Sequence, residues 1–542
     1  MRVAEYLVKS LQQLGITDFF GLPGDYNFNI LYAIEENPDT NWIGCTNELN
    51  AGYAADGYAR IKGFGAIVTT YGVGELSAMN AIAGSYAENV PVISIVGVPK
   101  TSAIENNVLL HHNFQKPNYY AFENAFKNVT ETTAYLTKDN AKSEIDRVIT
   151  TFVKERKPVY IAIPIDTAMD ELEEEIGFSY PESNKENLKS AVNEILTMVN
   201  KSKRPVLLAD ALLKRYQLEK EFTILADKTG YPNTNFIMGN GAINTSQKNY
   251  AGTYLSEFGN DTAKQVLFDT DCLIAFGPIY SDLNTFGFSL PYNIEDHIAI
   301  YGTYTVINHK KYEDVMMSDI IKELINILPK KDIKLNNVEI GYEPSKIEEK
   351  ELTSDYIYPR LQEFFKENDC LFMETGIIMH GFSGIKLPDN VDVNTQTLWG
   401  SIGWATPASF GACVALKDTD RRVVLYTGEG SHQLTASEIS NIMHYDYKPV
   451  VIVLNNHGYT IERILSDNPD DKFNNIIQWN YSKLPEVFEG NVWTAQAKTD
   501  KEFNNVLKES ETKDKMCYIE IFTEDMDIPS ITKKTIAKLK KS

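Results

Sequence analysis

Short apolar runs alternate with longer amphipathic stretches along most of the chain. The runs that read as buried strands are residues 65–70, 90–96, 158–163, 204–208, 272–276, 423–426, 449–454 and 516–521. Such runs are typical of strands covered on both faces, and their alternation with helical stretches is typical of parallel sheets. In the opening segment Val3, Leu7, Leu11 and Leu14 recur at helical spacing and predict an amphipathic helix. We therefore predict the α/β fold class, built from doubly wound parallel sheets.

Two charged stretches divide the predicted strands into three groups. One is residues 170–189, with four glutamates between 171 and 175, and the other is residues 329–351, rich in Lys and Glu. Charge runs of this kind usually form solvated connections. We therefore place boundaries near residues 185 and 345, which gives three α/β domains at 1–185, 186–345 and 346–542.

The charge balance narrows the possible partners. The 542 residues include 52 Lys and Arg against 74 Asp and Glu, a formal net charge of −22. Such an acidic surface repels phosphate backbones and anionic lipids, so we expect neither nucleic acid nor a membrane as a partner. We interpret the first helix as part of the fold rather than a signal peptide, and no run reaches the ~20 apolar residues of a membrane span. The five cysteines are scattered without CxxC spacing, which favours free thiols and a cytoplasmic location.

The most informative segment lies around residue 430. A predicted strand ends at Thr427, the sequence Gly428-Glu429-Gly430-Ser431 follows, and an amphipathic helix is predicted from about Thr435. The next predicted strand ends in Asn455-Asn456. In a parallel βαβ unit both strands deliver their last residues to the same edge of the sheet. We therefore expect Glu429 and Asn456 to lie close together.

The residue types at this edge suit a metal ion and a phosphate. Gly428 and Gly430 let the backbone approach a phosphate, while Ser431 and the exposed amides at a helix start can bind an anion. A carboxylate, an amide oxygen and a backbone carbonyl are hard donors, which suit Mg²⁺ bridging a diphosphate rather than Zn²⁺. A lone glycine-acid-glycine is usually only a turn, but the double asparagine after the next strand favours the metal site.

These motifs resemble the thiamine-diphosphate (ThDP) enzyme superfamily, whose fingerprint is GDG followed, one βαβ unit later, by NN. Further motifs carry the resemblance: GSHQLTASEIS, VLNNHGYTIE, WGSIGWATPASFGA, GLPGDYNFNIL, NELNAGYAADGYAR, GVGELSAMNAIAGSYAENVPVISIVG and the histidine pair of LLHHNF. In order and register they are similar to the pyruvate, indolepyruvate and branched-chain 2-oxo acid decarboxylases. The resemblance covers essentially the whole chain.

The resemblance implies domain roles, a reaction and an assembly. It implies a pyrimidine-binding domain at 1–185, a central domain at 186–345 and a diphosphate-binding domain at 346–542, with ThDP and Mg²⁺ as cofactors. The implied reaction is the non-oxidative decarboxylation of a 2-oxo acid to an aldehyde and CO₂ through the ThDP ylide. The implied assembly is a homodimer with shared active sites, paired further into a homotetramer.

Five residues match the catalytic positions of that family. Glu48 corresponds to the glutamate that hydrogen-bonds the pyrimidine ring and favours its imino tautomer. Asp25, His111, His112 and Glu462 correspond to the groups that move protons as the aldehyde forms. Taken singly, Asp25 reads as a turn residue and Glu462 as an early-helix acid. In motif register they favour the decarboxylase branch.

Other residues match cofactor and metal positions. Ile402 corresponds to an apolar wedge that bends the cofactor, although the same residue could also pack in the core. Gly376 and Gly400 match positions whose backbone meets the pyrimidine ring, and Thr460 falls among the cofactor-binding positions. The remaining implied cofactor-binding residues are Gly428, Gly430, Ser431 and Asn456, and the implied metal ligands are Glu429, Asn456 and the carbonyl of Gly458.

The metal motif departs from the family at one ligand. Glu429 stands where the family has aspartate, which keeps the charge but adds a methylene group. Mg²⁺ tolerates little deviation from octahedral geometry at ~2.1 Å. We therefore expect Glu429 to bind Mg²⁺–ThDP, but more weakly than an aspartate would. His432 and His457 flank the motif, and because side chains next to a ligand usually point away from it, we do not expect them to bind a transition metal.

The substrate pocket is implied by Thr375, Met379, His380 and Ile461. Methionine is adaptable, which suits branched or longer substrates, so we expect a branched-chain, aromatic or indolepyruvate-type 2-oxo acid. Pyruvate is the alternative substrate. A carboligating ThDP enzyme such as an acetolactate synthase is a further alternative, against which the histidine pair and Glu462 argue. A non-catalytic ThDP-binding relative is hard to reconcile with the intact catalytic set.

Overall fold

The structure, a computed structural model, describes residues 1–293, 296–331, 333–335 and 338–539. Among these residues the strands form three sheets, one in each sequence range predicted as a domain. All eight runs predicted as strands are strands, with ends that differ by at most two residues. The predicted first helix is also present and spans Val3–Gln12.

The first sheet is parallel throughout, with the strand order β2-β1-β3-β4-β6-β5. Every residue of β3, β4 and β6 is buried, as expected for strands covered on both faces. Its strands are β1 Asp18–Gly21, β2 Asn41–Gly44, β3 Gly65–Thr70, β4 Val92–Val98, β5 Thr133–Tyr135 and β6 Val159–Pro164. The helices of this range are α1 Val3–Gln12, α2 Phe28–Glu35, α3 Glu48–Lys62, α4 Val73–Ala87, α5 Thr101–Glu105, α6 Ala121–Phe126 and α7 Ala141–Glu155.

The central sheet is mixed, with the order β13-β12-β11-β10-β7-β8-β9. The prediction of a parallel sheet is wrong at one edge, because β12 runs antiparallel to both β11 and β13. Only residues 301–303 and 308–309 connect these strands, and links so short cannot make a parallel crossover. The strands are β7 Pro205–Ala209, β8 Asn233–Asn235, β9 Tyr250–Thr253, β10 Cys272–Phe276, β11 Ile298–Ile300, β12 Tyr304–Ile307 and β13 Lys310–Glu313. The helices are α8 Lys185–Lys201, α9 Ala211–Arg215, α10 Glu219–Thr229, α11 Asp261–Asp269 and α12 Met317–Ile327.

The third sheet is again parallel, with the order β15-β14-β16-β17-β19-β18. Numbered from its own first strand, this order repeats that of the first sheet. The strands are β14 Cys370–Met373, β15 Asp392–Asn394, β16 Val423–Gly428, β17 Val450–Asn455, β18 Trp493–Ala497 and β19 Cys517–Phe522. The helices are α13 Ser354–Phe364, α14 Ile377–Phe382, α15 Ala405–Ala415, α16 Glu429–Thr435, α17 Ile439–His444, α18 Thr460–Leu465, α19 Leu484–Val487, α20 Asp500–Ser510 and α21 Ser530–Leu539.

The chain folds as two compact units. The first comprises Met1–Pro181, Pro407–Thr419 and Ser437–Asn441, and the second comprises Glu182–Thr406, Asp420–Ala436 and Ile442–Ser542. The second unit therefore contains both the central and the third sheet, and the boundaries at 185 and 345 stay predictions. All five cysteines are free thiols. Across the described ranges, none of the helices combines the length and the apolar character needed to cross a membrane.

Candidate active site

Four strands of the third sheet end at one edge, and the residues that follow them line one cavity of about 970 Å³. This is where open α/β sheets bind ligands, because parallel strands bring their carboxyl ends together. The cavity lies within the second unit. Its lining includes every site residue predicted for that unit: Thr375, Gly376, Met379, His380, Gly400, Ile402, Gly428, Glu429, Gly430, Ser431, Asn456, Gly458, Thr460, Ile461 and Glu462.

The candidate metal ligands meet at the ends of β16 and β17. One terminal atom of the Asn456 amide lies 3.2 Å from Glu429 Oε1, 3.3 Å from Glu429 Oε2 and 2.9 Å from the Gly458 carbonyl oxygen. The other terminal atom lies 2.9 Å from Thr460 Oγ1. With its nitrogen towards Glu429, the amide donates to these oxygens. With its oxygen there, four oxygens converge, and a cation is needed to satisfy them.

The spacing of these oxygens fits Mg²⁺. Adjacent ligands of an octahedral ion at 2.1 Å are about 3.0 Å apart, close to the separations around Asn456. With the amide oxygen of Asn456 turned towards Glu429, the converging atoms are all oxygens, the donor type that Mg²⁺ prefers. The three residues predicted as metal ligands therefore form a set that suits this ion.

Glu429 is buried at this edge and is held by backbone groups. The N–H of Gly458 donates to Glu429 Oε1 at 2.8 Å, and the N–H of Asn456 donates to the same oxygen at 3.2 Å. Burial raises the pKa of Glu429 to about 7, while these N–H groups act to lower it. The N–H of Glu429 itself is a further donor to the carboxylate. The extra methylene group thus lets one carboxylate oxygen reach the loop after β17.

Helix α16 begins at Glu429 itself, so the prediction of a helix from about Thr435 is wrong. Gly428 is extended and caps the helix directly after β16, which leaves no loop between strand and helix. Gly430 and Ser431 therefore lie in the first helical turn, where backbone N–H groups lack partners within the helix. A Cβ at Gly428 would meet nothing within 4 Å, so the space above it is open to a ligand. These features suit a diphosphate beside the metal.

Arg463 fixes the loop that carries Asn456 and Gly458. Its guanidinium donates to the carbonyl of Asn456 at 3.2 Å, to that of His457 at 2.7 Å and to Asn475 Oδ1 at 2.9 Å. A Cβ at Gly458 would lie 2.5 Å from the Asn474 carbonyl oxygen and 2.6 Å from the Arg463 guanidinium, so glycine is required there. The sequence prediction missed Arg463, because a lone arginine in a helix carries no motif signal.

Glu374 is a second buried acid at the cavity that the sequence prediction missed. The Thr427 hydroxyl donates to its Oε2 at 3.1 Å, and the Thr375 N–H lies 3.4 Å from its Oε1. The N–H groups of Gly403 and Ala405 also donate to it. Burial raises the pKa of Glu374 to about 7. The carboxyl group thereby links the ends of β14 and β16 to the loop that carries Ile402. Its position directly after an apolar run was the feature of the sequence that could have indicated a site residue.

Ile402 extends into the cavity rather than into the core. Its side chain is 37% exposed, large for an isoleucine between buried segments, and it lines the cavity. Gly376 and Gly400 have φ values of +85° and +65°. These observations agree with the wedge and backbone-contact roles, which stay predictions.

The far side of the cavity is formed by α14 and by a central-domain segment. Met379 and His380 face residues Phe286 and Leu283 of that segment, with the rings of Phe286 and His380 6.3 Å apart. Within the described residues His380 Nδ1 is buried without a hydrogen-bond partner, and burial lowers the pKa of His380 to about 4. This histidine is therefore neutral near pH 7. No sequence motif pointed to the segment around Phe286, because it reaches the cavity only through the tertiary fold.

His432 turns away from the metal residues, as expected from the sequence. Its Nδ1 lies 2.9 Å from the Thr406 hydroxyl and its Nε2 lies 2.8 Å from the Tyr518 hydroxyl. Burial lowers the pKa of His432 to about 3, so the ring is neutral. His457 instead lies at the surface, with its Nδ1 3.0 Å from Asp525 Oδ1.

In the first unit, Glu48 is the first residue of α3. The Asn47 side chain caps this helix by accepting the N–H of Asn50 at 2.8 Å. A Cβ at Gly74 would lie 3.2 Å from Glu48 Oε1, so the glycine of the GVGEL motif leaves room beside the carboxylate. Glu48 is half-buried, which is compatible with its predicted contact to a cofactor ring.

Asp25, His111 and His112 also lie together in the first unit. His111 Nε2 is 3.0 Å from Asp25 Oδ2, and the two histidine rings are 4.4 Å apart. The Tyr26 hydroxyl lies 3.3 Å from His111 Nδ1, and the Tyr71 hydroxyl donates to the His111 carbonyl. Burial, reinforced by His111, lowers the pKa of His112. Three of the four predicted proton-handling groups are therefore adjacent, while Glu462 belongs to the cavity of the second unit.

Sequence comparison assigns all three parts of the chain to one enzyme family. Residues 1–122 match "Thiamine pyrophosphate enzyme, N-terminal TPP binding domain", residues 192–328 match "Thiamine pyrophosphate enzyme, central domain", and residues 377–521 match "Thiamine pyrophosphate enzyme, C-terminal TPP binding domain". Each match falls inside one of the predicted domains. ThDP is therefore the cofactor.

Similar proteins extend over the whole chain. The pyruvate decarboxylase of Kluyveromyces lactis is 35% identical, over 97% of this chain and 96% of its own. Pyruvate decarboxylase isozyme 2 of Saccharomyces cerevisiae is 34% identical, over 97% and 96%. A putative pyruvate decarboxylase of Schizosaccharomyces pombe is 35% identical, over 98% and 96%. The chain therefore belongs to the ThDP-dependent 2-oxo acid decarboxylases and is a carboxy-lyase.

Proposed function

We propose that this decarboxylase acts on a 2-oxo acid with a branched aliphatic, aromatic or indole side chain. The observation that carries the proposal is the apolar end of the cavity. Its lining there includes Phe258, Leu283, Phe286, Met379, Ile461 and Leu465. A single methyl group would leave most of this surface without a partner, whereas a larger side chain would bury it. Because His380 is neutral, it adds a polar atom to the cavity without a charge whose hydration an apolar substrate would displace.

The proposed reaction converts a 2-oxo acid and one proton into an aldehyde and CO₂. When bound, ThDP supplies the electron sink that accepts the electron pair released by the departing CO₂. Glu429, Asn456 and the Gly458 carbonyl would hold Mg²⁺, and the first turn of α16 would hold the diphosphate. Glu48 binds and orients the pyrimidine ring. Ile402, which lines the same cavity, would pack against the bound cofactor.

Proton handling is assigned to four side chains. We propose that Asp25, His111, His112 and Glu462 supply the proton that the aldehyde carbon needs. The 3.0 Å contact between His111 and Asp25 supports this assignment, because proton transfer requires hydrogen-bond distance. The lowered pKa of His112 keeps that ring neutral near pH 7, so it can accept a proton from its surroundings.

A substrate panel tests the proposal. Purified enzyme with ThDP and Mg²⁺ would be given pyruvate, 2-oxoisovalerate, 2-oxoisocaproate, phenylpyruvate and indolepyruvate, with aldehyde detected through a coupled alcohol dehydrogenase. We expect a higher kcat/KM for the larger acids than for pyruvate. Phe286→Ala should shift the preference further towards them, while Phe288→Ala is the matched control because Phe288 is 68% exposed and does not line the cavity.

Pyruvate decarboxylation is the second candidate, because the similar proteins named above are pyruvate decarboxylases. A higher kcat/KM for pyruvate than for every larger acid would support it and overturn the first proposal. Acetolactate in place of free aldehyde would indicate a carboligating enzyme. A protein that binds ThDP but gives no product from any acid would be a non-catalytic relative. The cytoplasmic location stays a prediction.

We also propose a homodimer with shared active sites, paired further into a homotetramer. Light scattering on the purified protein measures the number of chains. Mixing two inactive chains, Glu48→Gln and Glu462→Gln, tests the sharing. If each site takes Glu48 from one chain and Glu462 from the other, a mixed dimer has one intact site and activity returns. If each chain builds its own site, the mixture stays inactive.

A further inference from the structure

Three side chains of the first unit, none of them among the proposed Mg²⁺ ligands, bring the donor types of a transition-metal site together. Asp25, His111 and His112 each offer a ligand atom, and these atoms all lie within 4.8 Å of one another. His111 Nε2 and Asp25 Oδ2 are 3.0 Å apart. Two imidazoles and a carboxylate are the donors that Zn²⁺ and similar ions prefer, whereas Mg²⁺ prefers oxygens alone. The name "His–His–Asp triad" is used below for these three residues.

The spacing of the triad is close to that of a metal centre. For tetrahedral Zn²⁺ with bonds of 2.0–2.1 Å, two ligand atoms are about 3.4 Å apart. The His111–Asp25 pair already has nearly this separation. Because no two of the ligand atoms are more than 4.8 Å apart, each pair needs to approach by at most about 1.4 Å to reach this separation. Rotation of side chains can provide this, since Asp25 and His111 are about half exposed.

The surrounding structure holds His111 as metal sites usually hold their histidines. The Tyr26 hydroxyl lies 3.3 Å from His111 Nδ1 and can donate or accept. It can therefore accept a hydrogen bond from the Nδ1–H when Nε2 binds a metal, the role that carboxylates, backbone carbonyls and waters usually play beside metal-bound histidines. The Tyr71 hydroxyl fixes the His111 carbonyl. A side chain at Gly72 would collide with the His112 carbonyl, so the loop packs closely there.

Charge also favours a cation at the triad. Metal binding requires a neutral imidazole, the ordinary form of an unpaired histidine above its pKa. The Asp25 carboxylate supplies a negative charge directly at the site. The net charge of −22 attracts divalent cations to the protein as a whole.

We propose that the His–His–Asp triad binds Zn²⁺ reversibly and that this inhibits the enzyme. Binding follows from the geometry alone. Inhibition rests on the proposed function, in which the same three side chains move the proton that completes the aldehyde. A metal ion bonded to them removes their lone pairs from proton transfer. Free Zn²⁺ bound at the triad would then inhibit the enzyme, while Mg²⁺ bound at Glu429 and Asn456 would still be needed for activity.

The binding test uses Co²⁺ as a spectroscopic probe for the Zn²⁺ site. Holoenzyme loaded with ThDP and excess Mg²⁺ is titrated with micromolar Co²⁺, and the visible absorption of protein-bound Co²⁺ is measured. We expect one site per chain, with Zn²⁺ displacing Co²⁺. His112→Ala and Asp25→Asn should weaken binding by about 100-fold, and Tyr26→Phe by about tenfold. His309→Ala is the matched control, because His309 also lies 3.0 Å from an aspartate, Asp296, but in a part of the sequence far from the triad.

The inhibition test measures aldehyde formation with Zn²⁺ and then with a pyridyl-amine chelator that leaves Mg²⁺ in solution. Inhibition that the chelator reverses, and that excess Mg²⁺ does not relieve, supports the proposal. Relief by Mg²⁺ would place Zn²⁺ at Glu429 and overturn it. Unchanged Co²⁺ binding in His112→Ala, equal loss in His309→Ala, or no binding at micromolar Co²⁺ would also overturn it. If the enzyme decarboxylates no 2-oxo acid, the Co²⁺ spectrum still decides the metal site, so the two failures are distinguishable.

Discussion

Replacing Glu429 by aspartate tests how the metal site is built. The shorter side chain withdraws the carboxylate by about 1.5 Å, the length of one carbon–carbon bond. Its distance to the Gly458 N–H, now 2.8 Å, would grow to about 4 Å, and the weaker contact to the Asn456 N–H at 3.2 Å would also be lost. Hydrogen bonds to charged groups contribute about 1.5–3 kcal/mol each. We therefore expect Glu429→Asp to destabilise the cofactor-free protein by about 2–4 kcal/mol, after some compensation by water.

The same two hydrogen bonds are expected to oppose metal binding. A bound cation draws electron density from the carboxylate, so each N–H contact to Oε1 falls from a charge-assisted bond towards a neutral one. That difference is about 1 kcal/mol per bond, or about 2 kcal/mol for the pair. An aspartate that makes neither bond avoids this cost. We therefore expect Glu429→Asp to bind Mg²⁺–ThDP about 10- to 30-fold more tightly than the wild type.

The assay measures both properties on apo-enzyme prepared with a chelator. Thermal unfolding gives the stability, and calorimetric titration with ThDP at saturating Mg²⁺ gives the affinity. The matched control is Glu520→Asp, because Glu520 is also buried and accepts hydrogen bonds from Asn455, Ser482 and Gln496 but does not line the cavity. The control should lose stability without gaining affinity. Equal or weaker ThDP binding by Glu429→Asp than by the wild type would refute the reasoning.

Three further predictions concern single side chains. Ile402→Ala should change the unfolding temperature little, because the residue is 37% exposed, yet it should lower kcat/KM on the order of 10²-fold. The control is Ile452→Ala in the buried strand β17, which should lower the unfolding temperature instead. An unchanged kcat/KM in Ile402→Ala would contradict the wedge role. Glu374→Gln should weaken ThDP binding to apo-enzyme, because an amide nitrogen would face the hydrogen-bond donors of Thr427, Gly403 and Ala405. Unchanged ThDP binding would show that the hydrogen bonds of Glu374 serve only the protein structure. Glu75→Gln should flatten the dependence of apo-enzyme stability on pH. Burial raises the pKa of Glu75 from 4.5 to about 7, so its contribution is full below pH 4.5 and is lost as the pH rises to about 7, by up to about 3 kcal/mol. Parallel stability curves for Glu75→Gln and wild type across this range would contradict the assignment.

The fold was largely predictable because its strands are continuous apolar runs. Strands such as β4 and β17 are buried on both faces, so their sequences alone separate them from the amphipathic helices. The antiparallel edge of the central sheet was missed although the short spacing between residues 300 and 310 could have indicated it. The matching strand orders of the first and third sheets could not be predicted, because strand order depends on pairing between distant segments.

The start of α16 shows why local propensity failed beside the site. Two glycines within Gly428-Glu429-Gly430-Ser431 disfavour a helix interior, so the segment reads as a turn. In the fold, β16 ends where the chain must leave the sheet, and the helix begins at once with Glu429. A Cβ at Gly428 would meet nothing within 4 Å, which leaves room for a ligand, whereas a Cβ at Gly430 would lie 2.5 Å from the Tyr459 ring, so glycine is required there by packing. Tertiary context thus overrides propensity where the backbone must approach a ligand.

Site residues were predictable where a motif carried them and not elsewhere. Asn456 and Gly458 follow a strand in a recognisable pattern, so their place at the sheet edge follows from topology. Glu374 and Arg463 act through hydrogen bonds to backbone groups, which the sequence does not display. Phe286 reaches the cavity from another domain. Residues that position others therefore emerge only from the structure.

Charge at the cavity gives the proposed metal ion a central part in cofactor binding. ThDP and a 2-oxo acid are both anions, and the chain carries a net charge of −22. Arg463, a buried cation beside the proposed metal ligands, is already bonded to the carbonyls of Asn456 and His457. Burial raises the pKa values of Glu374 and Glu429 to about 7, so near neutral pH part of their negative charge is removed by protonation in the cofactor-free protein. Under the proposed function the N–H groups of α16 and a cation on Glu429 would hold the diphosphate, because backbone dipoles alone oppose the field of the whole protein only locally. Binding of ThDP should accordingly depend on Mg²⁺ far more than on ionic strength.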